Sequence, residues 1–102
     1  MTARRRLWSK SGLHVDAVLT DGGDLVFEGR DLNGWLGSEE YEHWVTVPAA
    51  LVPRVVSALG GSPGGDVLDL LAAHADEVVM RGESTWLRSL GMEPDVSTWT
   101  SG

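Results

Sequence analysis

The chain of 102 residues contains no cysteine, which excludes a disulfide framework, a thiolate zinc site and a cysteine nucleophile. It also lacks any apolar run near the roughly 20 residues that a membrane-spanning helix needs. Arg4, Arg5 and Arg6 are not followed by the hydrophobic stretch of a secretory signal. We therefore expect a cytoplasmic protein that is not bound to a membrane. At this length, a single domain with one modest core is expected.

Basic residues are scarce and unevenly placed. The chain has 8 Lys and Arg against 15 Asp and Glu, for a formal net charge of −7. Arg4, Arg5, Arg6 and Lys10 are half of the basic residues, and every acidic residue follows them. An acidic body repels nucleic-acid phosphates and attracts basic surfaces. The charge therefore favours a basic protein partner over nucleic acid, although solubility alone also explains an acidic composition.

The residue pattern in the first half of the chain predicts β-strands. Residues 13–20 alternate in the period of two that marks a strand with one buried face. The sequence Asp-Gly-Gly-Asp at 21–24 tolerates positive φ, and a second β-type run follows at 25–28, which predicts a hairpin. Residues 41–47 alternate again and end at Pro48, which cannot donate to a ladder. Three strands are therefore predicted before residue 48.

The residue pattern in the second half predicts helices followed by a terminal strand. Helices are predicted at about 52–59 and 67–75, the latter capped by Asp66. Residues 78–80 either extend the second helix or begin another. A third short helix is indicated around 86–90, and the β-branched and aromatic residues 96–100 predict an edge strand.

The expected fold class is α+β, with an antiparallel three- to four-stranded sheet, about three helices on one face, and the order β-β-β-α-α-α-β. Residues 1–12 are expected to be a basic, flexible start, and residues 13–102 a single α+β domain.

Residue patterns for catalysis or metal binding are weak throughout the chain. No two of His14, His43 and His74 have the spacing of three or four residues that brings ligands together on a helix. The glycine-rich stretch 60–65 lacks the Lys-Ser/Thr of a phosphate loop, and Asp66 follows it. Adjacent acids in polar surroundings normally stay ionised and solvated. We therefore predict no catalytic residue, no metal and no cofactor.

Residues 35–44 stand above this background because they combine three aromatic and three acidic residues. Aromatic residues are enriched at interaction hot spots, and carboxylates steer a protein toward basic partners. The predicted partner-binding residues are Trp35, Glu39, Glu40, Glu42 and Trp44, flanked by Asp31 and Glu28. The alternative is that Trp35 and Tyr41 cover the core and that Glu42 is merely solvated.

The two faces of the strand at 41–47 decide between these interpretations. On a strand, Glu42 and Trp44 share one face, opposite to Tyr41 and His43. If helices cover the Tyr41 face, Trp44 lies on the open one. An indole there would form an exposed apolar patch of a kind that monomers seldom keep without use.

A resemblance rests on two segments: Asp-Gly-Gly-Asp-Leu-Val-Phe-Glu-Gly-Arg-Asp-Leu at 21–32 and Tyr-Glu-His-Trp-Val-Thr-Val at 41–47. A small, acidic, cysteine-free α+β chain with these segments resembles the immunity proteins that neutralise toxins of bacterial competition systems. It also resembles small uncharacterised actinobacterial proteins. The first resemblance implies a protein without catalytic residues that blocks a basic nuclease site with acidic side chains.

The predicted function is therefore a non-catalytic acidic protein-binding module, an immunity-type inhibitor of a basic partner such as a toxin nuclease. One alternative is a homo-oligomeric structural or regulatory protein that pairs through residues 96–100 or the Trp44 face. Another is an acidic nucleic-acid mimic that blocks a DNA-binding protein. An enzyme would require a deep pocket with a buried histidine or carboxylate. The role of the cluster Arg4 to Arg6 stays open.

Overall fold

The computed structural model describes residues 2–10, 12–31, 40–62 and 66–101. These residues contain five strands and four α-helices. In chain order the elements are β1 (Ala3–Lys10), β2 (Leu13–Leu19), β3 (Leu25–Asp31), β4 (Glu40–Val47), a single 3-10 turn (Ala49–Leu51), α1 (Val52–Ala58), α2 (Val67–Ala73), α3 (Ala75–Arg81), α4 (Glu83–Ser89) and β5 (Asp95–Ser101).

The strands form one sheet in the order β1-β2-β3-β4-β5, and every neighbouring pair is antiparallel. The predicted hairpin is confirmed, because β2 pairs with β3 along its whole length. Its turn places Gly23 at a φ of 89°, and the Thr20 N–H donates to the Asp24 carbonyl at 2.9 Å. The predicted terminal strand is confirmed as β5, which pairs with β4. The α+β class with an antiparallel sheet is therefore confirmed.

The strand count was wrong because the basic start is structured. Residues 1–12 were expected to be flexible, but Ala3–Lys10 pair with β2, with a register shift between Arg6 and Trp8. Leu7 joins the core, and Arg4 and Arg6 find carboxylate partners on the sheet. Three consecutive arginines hide the alternation that normally identifies a strand, since all three side chains are charged.

The helix count also differs from the prediction. The apolar stretch after residue 67 divides into α2 and α3, with His74 between them at φ −115° and ψ 22°. The third predicted helix corresponds to α4, which begins at Glu83, directly after Gly82 at a φ of 87°. The predicted cap is confirmed, because the Asp66 side chain accepts hydrogen bonds from the backbone N–H groups of Leu68 and Asp69.

The core lies between one face of the sheet and the helices. Alternate strand residues such as Val15, Phe27 and Val45 are buried together with Leu71 and Leu87 of the helices. Burial of this one continuous apolar cluster is the main favourable term for folding. Because the described helices pack on this side, none of them covers the opposite face of the sheet. Within the described residues, no helix has both the length and the apolar character needed to cross a membrane.

Candidate functional site

The uncovered side of the sheet, here called the open face, gathers charged residues from four strands. Side chains alternate between the faces of a strand, so residues opposite one another in the ladders share a face. The ladders place Arg6, Asp16, Glu28 and Trp44 in one row across the sheet. A depression of about 420 Å³ on this face is lined by Arg4, Arg6, His14, Asp16, Glu28, Gly29, Arg30, Glu42 and Trp44.

A network of ion pairs connects β1 to β2 and β3. Arg4 Nη1 lies 2.9 Å from Asp16 Oδ2 and 2.7 Å from Glu28 Oε2. Arg6 Nε lies 2.8 Å from Asp16 Oδ1. Asp16 therefore receives charge-assisted hydrogen bonds on both carboxylate oxygens, the strongest kind that side chains make.

The environment of Asp16 keeps its carboxylate ionised. Burial of Asp16, whose side chain is 12% exposed, acts to raise its pKa. The hydrogen bonds from Arg6 and Arg4, together with their positive charges, outweigh burial, so the pKa of Asp16 is lowered. The same contacts raise the pKa values of Arg4, mainly through Glu28, and of Arg6, mainly through Asp16.

Trp44 lies beside two carboxylates of the open face. It is half-buried, and it is the ladder partner of Glu28 on β3. Glu42 precedes it by two residues on β4 and so shares its face. Arg30, the ladder partner of Glu42, approaches that carboxylate with its guanidinium nitrogen at 3.4 Å. The indole is thus set among charged side chains of both signs.

The open face is balanced in charge, although the chain as a whole is acidic. Three guanidinium groups and three carboxylates line the depression, together with the imidazole of His14. Each of these carboxylates has an arginine within ion-pair distance. The open face therefore presents an ordered arrangement of charges of both signs rather than a uniform negative potential.

The structure brings together three of the predicted site residues: Glu28, Glu42 and Trp44. The prediction that Glu42 and Trp44 share the open face, with His43 on the helix side, agrees with the ladders and with the contact of His43 to α4. Asp31 ends β3 and Glu40 begins β4, and the structure describes their backbone. Trp35 and Glu39 lie outside the described residues.

Sequence reasoning did not identify Arg4, Arg6, Asp16 and Arg30 as parts of this surface. The sequence did contain an indication of this arrangement. Arg4 and Arg6 are two residues apart, so they lie on one face if residues 3–10 form a strand. The position of Asp16, at the centre of a strand rich in apolar residues, was a second indication. A carboxylate in that position needs a cationic partner to remain charged.

A different polar contact lies on the helix side of the sheet. His43 Nε2 is 3.4 Å from Glu83 Oε2, and both side chains are largely buried. The His43 ring lies against Gly29 of β3, where an added Cβ would overlap it. Because α4 begins at Glu83, this pair connects the first turn of the helix to the sheet.

The described residues contain no group of three or more His, Cys, Asp or Glu side chains placed to hold a metal ion. At the edge of the open face, Ser9 Oγ and His14 Nδ1 are 2.9 Å apart and share a hydrogen bond. That pair is solvent-exposed.

In comparisons with known proteins, this chain matches no protein-family model, no curated protein and no solved structure.

Proposed function

We propose that this chain is a non-catalytic protein-binding module and that the open face around Trp44 is its docking surface for a basic protein. The observation that carries the proposal is the position of Trp44, half-buried between Glu28 and Glu42 on a sheet face that the described helices leave uncovered. Tryptophan supplies a large, rigid contact area and is among the residues most enriched at binding hot spots.

Charge acts at two distances in this proposal. The net charge of −7 attracts a basic partner over about one Debye length and so accelerates encounter. At contact, the alternating guanidinium and carboxylate groups of the open face select a partner with the complementary pattern. Arg4 and Arg30 hold Glu28 and Glu42 in place before binding, which lowers the entropic cost of ordering them.

An immunity-type inhibitor of a toxin, such as a basic nuclease, is the most specific form of this proposal. Such an inhibitor needs a rigid acidic body and an exposed docking surface, and it needs no reacting group of its own. The acidic composition and the resemblance in the segments 21–32 and 41–47 support it.

Mimicry of a nucleic-acid backbone is less well supported on this face. A mimic requires carboxylates spaced along one surface like phosphates. Arg4, Arg6 and Arg30 interrupt the carboxylates of the open face.

The proposal can be tested with a partner isolated from the source cells. The bound protein is identified, purified separately, and its association with the chain is measured at about 50 and about 150 mM salt. We expect a basic partner whose association slows several-fold at the higher salt concentration. Trp44→Ala should accelerate dissociation about tenfold or more, because the variant loses its aromatic anchor. Co-expression of the chain with a toxic partner should restore growth.

Met80→Ala is the matched control. Met80 is a large apolar residue on α3 that is 74% exposed, and its truncation should leave both rates unchanged. An association rate that does not depend on salt, or equal dissociation rates for Trp44→Ala and the native chain, would contradict the proposal.

A further inference from the structure

The two edges of the sheet differ in how they are protected against pairing with another strand. β1 carries Arg4, Arg5, Arg6 and Lys10, and its ladder with β2 has a register shift. Cationic residues and bulges are two of the devices by which sheet edges avoid association. β1 is therefore a protected edge.

β5 lacks these devices. Its sequence, Asp-Val-Ser-Thr-Trp-Thr-Ser, has no proline, glycine or cationic residue and a single charge at its first position. Its ladder with β4 runs through all seven residues without a register shift. Residues 95–98 are exposed, and the exposed fraction of Val96 is 42%. No described strand pairs with the outer edge of β5, and a regular strand with β-branched residues at alternate positions offers such an edge for strand addition.

We propose that β5 pairs antiparallel with β5 of a second copy of this chain, with Thr98 opposite Thr98 at the two-fold axis. This register pairs all seven residues and places Asp95 opposite Ser101 of the second copy. The two Asp95 residues then lie at opposite ends of the ladder, roughly 20 Å apart at the usual rise per residue. The strand is thus complementary to itself in charge, as an isologous interface requires.

The pairing produces one continuous ten-stranded sheet. The two-fold axis between antiparallel strands of a sheet is perpendicular to it, so both open faces lie on the same side and stay uncovered. The inference goes beyond the docking function and does not rest on it. A ladder of seven residues is a small interface, so association is expected in the micromolar range rather than below it.

A charge-exchange experiment tests the register. In the proposed dimer the two Thr98 side chains are about 5 Å apart. Thr98→Lys and Thr98→Asp should each be monomeric, because either variant places like charges together. An equimolar mixture of the two should recover a dimer, since it pairs opposite charges. Sedimentation of each sample from about 10 to about 500 μM gives the mass, and the native chain should approach twice its monomer mass of 11.0 kDa.

Ser9→Lys on the exposed part of β1 is the matched control and should dimerise as the native chain does. Amide hydrogen exchange of the native chain gives a measurement that needs no variant. Protection in residues 95–101 should rise with protein concentration, while protection in residues 3–10 should not. A native chain that stays monomeric throughout, a mixture that stays monomeric, a dimer that survives Thr98→Lys, or protection that rises in β1 would each overturn the inference.

Discussion

Arg6 and Asp16 are joined twice, as ladder partners between β1 and β2 and as an ion pair with Arg6 Nε 2.8 Å from Asp16 Oδ1. Leu7, the next residue, is buried in the core on the other side of the sheet. A segment that begins with charged residues is therefore held to the domain by polar contacts on one face and by apolar packing on the other.

The burial of Leu7 predicts that β1 is required for full stability. Leu7→Ala should lower the free energy of unfolding by about 2–3 kcal/mol, since the substitution removes buried methyl groups and leaves a cavity. Urea denaturation followed by circular dichroism measures the change. Met80→Ala, the exposed control on α3, should change stability by less than about 0.5 kcal/mol. Equal effects of the two substitutions would show that β1 is dispensable.

The two hydrogen bonds to Asp16 predict a cost when its charge is removed. Asp16→Asn keeps the shape of the side chain but weakens its contacts with Arg4 and Arg6. The free energy of unfolding at neutral pH should fall by about 1–2 kcal/mol, a moderate value because both guanidinium groups are about half exposed. Asp76→Asn on the exposed surface of α3 is the matched control. A loss no larger than that of the control would contradict the role of the network.

The lowered pKa of Asp16 predicts where stability depends on pH. A carboxylate whose pKa is lower in the folded state stabilises the fold fully above its unfolded pKa, which is about 3.9 for aspartate. That contribution is lost as the pH falls through the folded pKa, because protonation removes the ion pairs. The difference in unfolding free energy between the native chain and Asp16→Asn should therefore be constant near neutral pH and shrink below about pH 4. A difference that is as large at about pH 2 as at neutral pH would contradict this assignment.

The contact between Gly29 and His43 predicts a rescue by a second substitution. Gly29→Ala should destabilise the fold by about 1–3 kcal/mol, because its Cβ would overlap the His43 ring. His43→Ala removes that ring and also its contact with Glu83. The double variant should then be more stable than the sum of the single effects predicts. Additive effects, measured by urea denaturation, would show that the two residues do not share this space.

Local patterns were sufficient for the middle strands. Alternation at 13–20 and 41–47 indicates which side chains of a strand are buried, and the turn residues at 21–24 indicate where the chain reverses. These local signals were sufficient to predict β2, β3 and β4. The Asp66 cap was equally visible, because a helix start is a local arrangement of backbone donors. The division between α2 and α3 at His74 could not be predicted from the local pattern, because apolar residues continue on both sides of it.

Contacts between charged residues on different strands could not be predicted from local patterns. Arg4 and Glu28 are 24 residues apart and meet because two ladders place β1, β2 and β3 side by side. Charge counts suggested an acidic binding surface containing Glu42 and Trp44, but they could not show that three arginines share it. The balance of charge on a surface depends on which strands are neighbours.

The sequence by itself determined the acidic charge, the exclusion of thiolate chemistry, the central hairpin and the sharing of one strand face by Glu42 and Trp44, because composition and the period of two are properties of the chain. The tertiary structure decided that the basic start is an edge strand, that Asp16 is held by two arginines, that the described helices leave the Trp44 face uncovered, and that β5 is the other edge strand. These features depend on contacts between distant segments, and such contacts exist only once the sheet has formed.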